Sequence, residues 1–516
     1  MNKNNKAFIN GAIWLTVSTI LLKVIGVIYK IPISYILGDE GMGIFNSAYT
    51  VYTLFYIIGS SGIPRAISIL VSKYEADSPN SSYPIYKTAF AFLSTIGLFL
   101  SALLFFLAKH LSYFVGNESA WLSLVAISPT VFFVSASGVL RGYFSGRMNF
   151  APIAISELIA ASGKLVFGLI FAYWGVKENF SLPMTCAFSI LGMTVGSFFG
   201  MLYLYVFHKR RYKQERNFTY NIGYIREIVK LAFPLTLAAA LSSAVNLLDL
   251  SMIMNGLSAA GYSSVIATVL YGNYTTLTVP MIALVSALIA PITTSMQPVL
   301  SKNFARNDVK EIASNLKTCY RSVAFITIPV ALAFFVLSGD ILSVLFEREA
   351  AVLGAPTLSL VSPALFFLGA ATVINTSLEA NGKTVVPMLS LAGGAFAKLF
   401  IGVALLKFTD LGILTAPIGT AASYFVCFLI SYSHYRLSEQ KLPTPFFGIA
   451  APLLISCISL VLTVLIKSHF GLSGATRLQN ILVVALYGAF YLMCSLIFYK
   501  KRIYLKNKYS NMHKKI

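Results

Sequence analysis

Apolar sequence about 20 residues long returns again and again along this chain, with only short polar loops between the copies. A helix of that length rises far enough to cross the roughly 30 Å hydrocarbon core of a bilayer. Fourteen segments qualify: 8–37, 43–71, 88–108, 120–144, 152–174, 183–207, 228–255, 268–299, 319–338, 357–379, 385–406, 412–433, 446–466 and 479–499. Of the 516 residues, 57% are hydrophobic and 11% charged, where soluble domains carry about 25% charged residues. Lipid offers no partners to backbone N–H and C=O groups, so the expectation is an all-α integral membrane protein with about 14 transmembrane helices and no soluble domain.

The net charge of +21 invites a nucleic-acid reading, but its placement follows the membrane. Alternating crossings divide the loops into two sets. The set that includes both termini holds most of the lysine and arginine, six in the loop 208–227 and seven in the tail 500–516. The other set holds Lys109, Lys177, Arg348, Lys407, Lys467 and Arg477. Positive residues stay on the cytoplasmic side, so both termini are expected there and no nucleic-acid partner is implied. The start, MNKNNKAFING, resembles the charged part of a signal peptide, yet the apolar run after it is too long and lacks a small-residue cleavage site; an uncleaved first helix is expected. The five cysteines are scattered without a C-x-x-C pair, and the five histidines have no ligand spacing, so neither disulfides nor a bound metal are expected.

An internal repeat organises the segments. SPTVFF at 128–133 matches SPALFF at 362–367, and Lys164-Leu165 matches Lys398-Leu399, both at an offset of 234. LVSKYEA at 70–76 pairs with VLSKNFA at 299–305. Helices one to six thus recur as seven to twelve in the same orientation, because six is even. The expected architecture is two parallel six-helix lobes, 1–208 and 228–436, joined by a basic cytoplasmic linker 209–227 and followed by helices thirteen and fourteen with a basic tail, 437–516. Lobes related in this way commonly face each other across a cavity near the bilayer midplane.

Several spans carry charge: Lys23, Lys30, Arg65, Arg141, Lys164, Lys230 and Lys398 among the bases, Glu157, Asp249 and the terminal Glu379 among the acids. Lys230 and Arg141 lie near span ends, where a long side chain can reach the interface. Lys23, Lys30, Arg65 and Lys164 lie deeper. Each such charge costs about 2.5–3.5 kcal/mol in lipid, so these four should face water or a partner. Lys23 and Lys30 are seven residues apart and share a helix face, as do Glu157 and Lys164, which suits an ion pair. Glu157 and Asp249 are the candidate coupling or ion-pair acids. GSSGIP at 59–64 should interrupt helix two, so Gly59, Gly62 and Pro64, with Pro280 and Pro291 in helix eight, are hinge candidates. The excess of cations in the first half suits an anion.

LLKVIGVIYKIPISYILGDEGMGIFNSAY at 21–49, GIPRAISILVSK at 62–73, VLRGYFSGRMNFAP at 139–152 and YGNYTTLTVPMIALVSALIAPITTSMQPVLSK at 271–302 resemble the polysaccharide-exporter branch of the multidrug/oligosaccharidyl-lipid/polysaccharide flippase superfamily. Within it the chain is similar to the stage V sporulation protein B group and the lipid II flippases of Gram-positive bacteria. The resemblance implies a transporter of the bacterial cytoplasmic membrane that carries undecaprenyl-pyrophosphate-linked saccharide outward by alternating access. Membrane lipids and cell-wall synthesis proteins would be its surroundings. It further implies that Lys23, with Lys30 and Arg65 near it, engages the pyrophosphate. No cofactor is implied; coupling to membrane potential, protons or sodium is open. Tyr29 and the stretch Ile44, Phe45, Asn46 depart from the lipid II flippase pattern, which leaves the sugar undetermined. A cation-coupled drug exporter of the same superfamily is the second reading. A membrane glycosyltransferase would need a base poised at the surface, and the acids of the outer loops form no such constellation.

Overall fold

The computed structural model describes residues 3–77, 82–211, 221–438, 443–472, 474 and 476–513, without the side chains of 3–17, 20, 234, 235, 238, 241, 242, 298 and 499–513. Among the described residues all regular structure is helical. Among the described residues eleven helices are long and apolar enough to cross a membrane, or twelve if one bent pair counts as a single span. The difference from fourteen has local causes. Segments 8–37 and 43–71 are merged in one stretch, Leu21–Glu75, because α1 (Lys3–Ser60) takes in the first and most of the second; it kinks at Gly38 (φ 65°, ψ −178°), a conformation open in practice only to glycine. Segment 357–379 spans the bent pair α12 (Arg348–Val361) and α13 (Ala364–Ala380), which meet at 49°. Segment 228–255 lies in α7 (Ile222–Ala259), where several side chains are outside the described residues.

Two compact units divide the chain, Met1–Gly272 and Asn273–Ile516. The first contains α1, α2 (Ile63–Asp77), α3 (Tyr83–Phe114), α4 (Trp121–Gly146), α5 (Ala151–Lys177), α6 (Leu182–Arg211), α7 and nearly all of α8 (Ser264–Asn273). In the first unit, α7 packs against α1, α2 and α3. The division therefore falls at a different place from the basic loop 209–227, of which 212–220 lie outside the described residues.

Small residues decide how closely these helices approach. Gly142 and Gly146 of α4 are four apart and form one stripe; a β-carbon on Gly142 would stand 2.7 Å from the Pro64 carbonyl oxygen, and one on Gly146 2.7 Å from Val71. On α6, Gly192, Gly196 and Gly200 continue the same spacing. Their hydrogens face α5 backbone, with 2.3 Å left for a β-carbon at Gly192 against the Gly168 nitrogen and at Gly196 against the Ala160 oxygen. Close approach through glycine is the packing available to helices in lipid, where hydrophobic sorting between helices is weak.

The second unit opens with a π-helical turn, Tyr274–Thr278, and continues through α9 (Val279–Ala305), α10 (Val309–Val336), α11 (Ser338–Leu345), α12, α13, α14 (Val385–Phe408), α15 (Thr415–Ser438), α16 (Ala450–His469) and α17 (Arg477–His513). The repeated motif takes two forms: SPTVFF lies inside continuous α4, whereas SPALFF falls on the break between α12 and α13. The last two helices are fastened to the unit by polar contacts. Pro329 inside α10 has no N–H to offer the Phe325 carbonyl four residues before it, and the Tyr491 hydroxyl of α17 donates there at 2.9 Å. Tyr487 donates to the Pro329 carbonyl at 2.8 Å, and Lys467 of α16 grips both carboxylate oxygens of buried Asp340 at 2.7 and 2.6 Å. Tyr491→Phe is expected to destabilise the detergent-solubilised protein by about 1 kcal/mol, read as a lowered melting temperature.

Candidate functional site

The kink at Gly38 lets one continuous run, α1, supply both walls of a cationic and aromatic cluster in the first unit. Before the kink come Tyr29 and Lys30; after it Tyr49, Tyr52 and Tyr56 follow at helical spacing, their rings 5.9 and 5.8 Å apart in sequence. Opposite them α5 contributes Lys164. Its ammonium lies over the Tyr29 ring, 4.6 Å from the centroid, and 5.7 Å from that of Tyr49. A cation over aromatic faces is attracted by the ring quadrupole, by up to about 2 kcal/mol when desolvated. Tyr29 is itself fixed, buried, with its hydroxyl 3.4 Å from Ser189 Oγ of α6.

Lys30 is half-buried and feels the positive charge of Lys164. Lys30 on α1 and Lys164 on α5 thus belong to one electrostatic neighbourhood. The expected Glu157–Lys164 pair does not form. Seven residues separate them by roughly 10 Å along a helix, so a shared face is not a contact. Glu157 instead meets Arg141 of α4 at 3.3 Å, and Arg141, read from sequence as reaching for the interface, turns to α5 and to the neighbourhood of buried Tyr52.

The other expected residues are spread more widely. Lys23 is exposed on α1, and Arg65 is exposed in the first turn of α2. Asp249 is buried in α7, and Lys398 is half-buried in α14 of the second unit. The interruption expected from GSSGIP is present: helix stops at Ser60 and resumes at Ile63. Gly62 in the gap donates its N–H to Thr236 Oγ1 of α7 at 3.2 Å, and a β-carbon there would stand 2.4 Å from the Ala232 oxygen. Gly59 faces the Ser135 hydroxyl. In helix eight the irregularity is the π turn just before Pro280, which sits in the first turn of α9; Pro291 lies within unbroken α9 and makes no break.

Sequence reading missed Tyr49, Tyr52 and Tyr56 and the pairing of Arg141 with Glu157. Their signal was available in part, since YTVYTLFY at 49–56 repeats tyrosine at three and four residues, one face of a helix. That this face meets Lys164 could not be read from spacing.

Comparison with known proteins follows the same lines. Residues 8–304 match the family model described as polysaccharide biosynthesis protein, and residues 234–403 match that described as MatE. In Bacillus subtilis (strain 168), the lipid II flippase MurJ is 23% identical over 516 residues, with 94% of each chain covered. Stage V sporulation protein B of the same organism is 21% identical over 505 residues, covering 96% of each. A solved structure of the lipid II flippase MurJ in an inward closed conformation superposes with a TM-score of 0.73 at 18% identity, over 95% of this chain and 100% of that one. This multi-pass helical membrane protein is a member of the polysaccharide biosynthesis protein family, in the flippase and transporter superfamily that also holds the MatE proteins.

Proposed function

We propose that the chain is a flippase that carries a polyprenyl-pyrophosphate-linked saccharide, lipid II or a related cell-wall precursor, across the bacterial cytoplasmic membrane by alternating access. The observation that carries this reading is the Lys164 ammonium over the Tyr29 and Tyr49 rings, with Lys30 beside Tyr29 in α1 and Glu157 of α5 engaged by Arg141 rather than by Lys164. A pyrophosphate brings several strong acceptor oxygens, and charge-assisted hydrogen bonds to it strengthen as water is excluded. Lys23 and Arg65, exposed on α1 and α2, would receive it on the way. Expression in a strain depleted of its lipid II flippase tests the reading directly: growth should recover and lipid II should become accessible from outside. No recovery, with the protein present in the membrane, would remove lipid II as substrate and leave capsular or exopolysaccharide precursors to be tried.

The MatE match favours a second reading, a cation-coupled drug exporter. It predicts drug resistance on expression and no effect on lipid-linked sugars. For the flippase, the membrane potential is a sufficient drive in principle, since one charge crossing the field gains about 2.3 kcal/mol per 100 mV. Collapsing potential, proton gradient and sodium gradient one at a time in vesicles separates the sources.

Orientation follows from the basic loops. In a cysteine-free variant, single cysteines at Gln214 and Ser510 are expected to resist impermeant reagents in intact cells, and one at Ser473 to react. Labelling of Gln214 from outside would reverse the topology.

The break in helix two would act as a hinge, with Gly59 and Pro64 around it and the π turn before Pro280 in helix eight as its counterpart. Gly62→Ala should slow transport at least about tenfold, a barrier change of ~1.4 kcal/mol, because its β-carbon presses on α7 backbone. Gly59→Ala should do less, since the Ser135 hydroxyl can rotate away. Equal transport by both variants and the parent would exclude a hinge at this point.

A further inference from the structure

Away from the lysine cluster, the first unit has an open cavity of about 790 Å³ at the end where α3 turns into α4 and α5 into α6. Its lining includes the aromatic residues Tyr113 and Trp121, the basic residue Lys109, His110, the acidic residue Glu118 and Ser181. Tyr113 and Trp121 are 73% and 40% exposed, large apolar surfaces left open beside groups that donate and accept hydrogen bonds. The rim is held in place. Gly116 turns the chain at φ +74°, Asn117 donates to Ser47 Oγ of α1 at 3.0 Å, and the Phe114 carbonyl accepts from Ser251 Oγ and Asn255 Nδ2 of α7 at 2.9 and 3.1 Å.

The chemistry of this lining selects a ligand class. A lipid tail would leave Lys109, Glu118 and Ser181 without aqueous partners, and a bare phosphate would meet the Glu118 carboxylate. A sugar ring matches both features: its C–H face packs on an aromatic ring, and its hydroxyls serve donors and acceptors alike. The volume lies within the range of small-molecule sites. In the orientation proposed above, this end faces outward.

We propose that this cavity is a saccharide subsite, which takes the sugar part of the transported lipid as it reaches the outer side, with Trp121 and Tyr113 as its stacking surfaces. The inference rests on the flippase reading for its role, though the binding it asserts can be tested without transport.

The chain has three tryptophans, at 14, 121 and 174, so Trp14→Phe with Trp174→Phe leaves Trp121 as the sole reporter in the full-length protein. Titration with chitobiose, cellobiose and lactose is expected to give a saturable change in its emission for at least one, weakened about tenfold or more by Tyr113→Ala. Glycerol 3-phosphate should give none. No saturable response to any of the three sugars, or an equal response to glycerol 3-phosphate, overturns the subsite. In proteoliposomes, Tyr113→Ala with Trp121→Ala should lose the preference for polyprenyl-pyrophosphate disaccharide over sugar-free polyprenyl pyrophosphate, and an unchanged preference counts against the proposal. If the parent protein flips neither lipid, the flippase reading falls while the titration still decides the cavity. If the parent flips the glycosylated lipid and the titration is silent, the subsite falls alone.

Discussion

Lys164→Ala is expected to reach the membrane at normal abundance and to lose transport by two orders of magnitude or more, about 3 kcal/mol, the loss typical of truncating one side of a desolvated charge contact. Its placement explains both halves of that result. The ammonium rests on the rings of Tyr29 and Tyr49, so its removal strands no carboxylate; Glu157 keeps Arg141. What disappears is positive charge where Lys30 also stands. Lys164→Arg should keep part of the activity, since a guanidinium can sit over the same rings. Arg141→Ala makes the contrast. It leaves Glu157 without its partner in a site whose two side chains are 22% and 31% exposed, so stability should fall by some fraction of the roughly 3–5 kcal/mol of a fully buried pair, and abundance with it. Transport assays normalised to membrane abundance separate the two variants. Undiminished flipping by Lys164→Ala and by Lys30→Ala would remove the anion site.

Gly196→Val should severely damage the first unit. Its β-carbon would be built 2.3 Å from the Ala160 oxygen and 2.8 Å from the Lys164 nitrogen, both backbone atoms that no rotamer change can move. Overpacking of this kind costs about 1–3 kcal/mol or more, and here α5 has to retreat from α6. The turn that retreats carries Lys164. Gly196→Ala, with a smaller intrusion, should therefore lower transport more than it lowers thermal stability, while Gly196→Val should fail to accumulate. A Gly196→Val protein with parental melting temperature would show that α5 and α6 are not held at the spacing seen here.

Much of the architecture was legible before any coordinates, because its determinants are local. Apolar length, the scarcity of charge and the basic loops follow from transferring one segment at a time between water and lipid, and each segment carries that information in its own residues. The break at Ser61 and Gly62 was legible for the same reason, through the glycines and proline around it. Helix eight shows where local reasoning stops. Pro280 and Pro291 mark it as irregular, yet α9 continues through Pro291 and the irregular turn is at Tyr274–Thr278, where Tyr274 meets Thr420 and Thr278 meets Thr357 through their hydroxyls. Those partners are more than 70 residues away along the chain.

By itself, the sequence determined that this protein lives in a membrane as a bundle of helices, and it marked lysines within the apolar segments as residues in need of partners. Only the tertiary structure decided which charges meet. Lys164 faces Tyr29 and Tyr49 because Gly38 folds α1 back and the glycines of α6 admit α5 to backbone distance, and Glu157 turns to Arg141 because α4 brings it there. The physical reason is range: partition into lipid is additive along the chain, whereas a contact between charges falls off within a few ångströms and depends on where separate helices are placed.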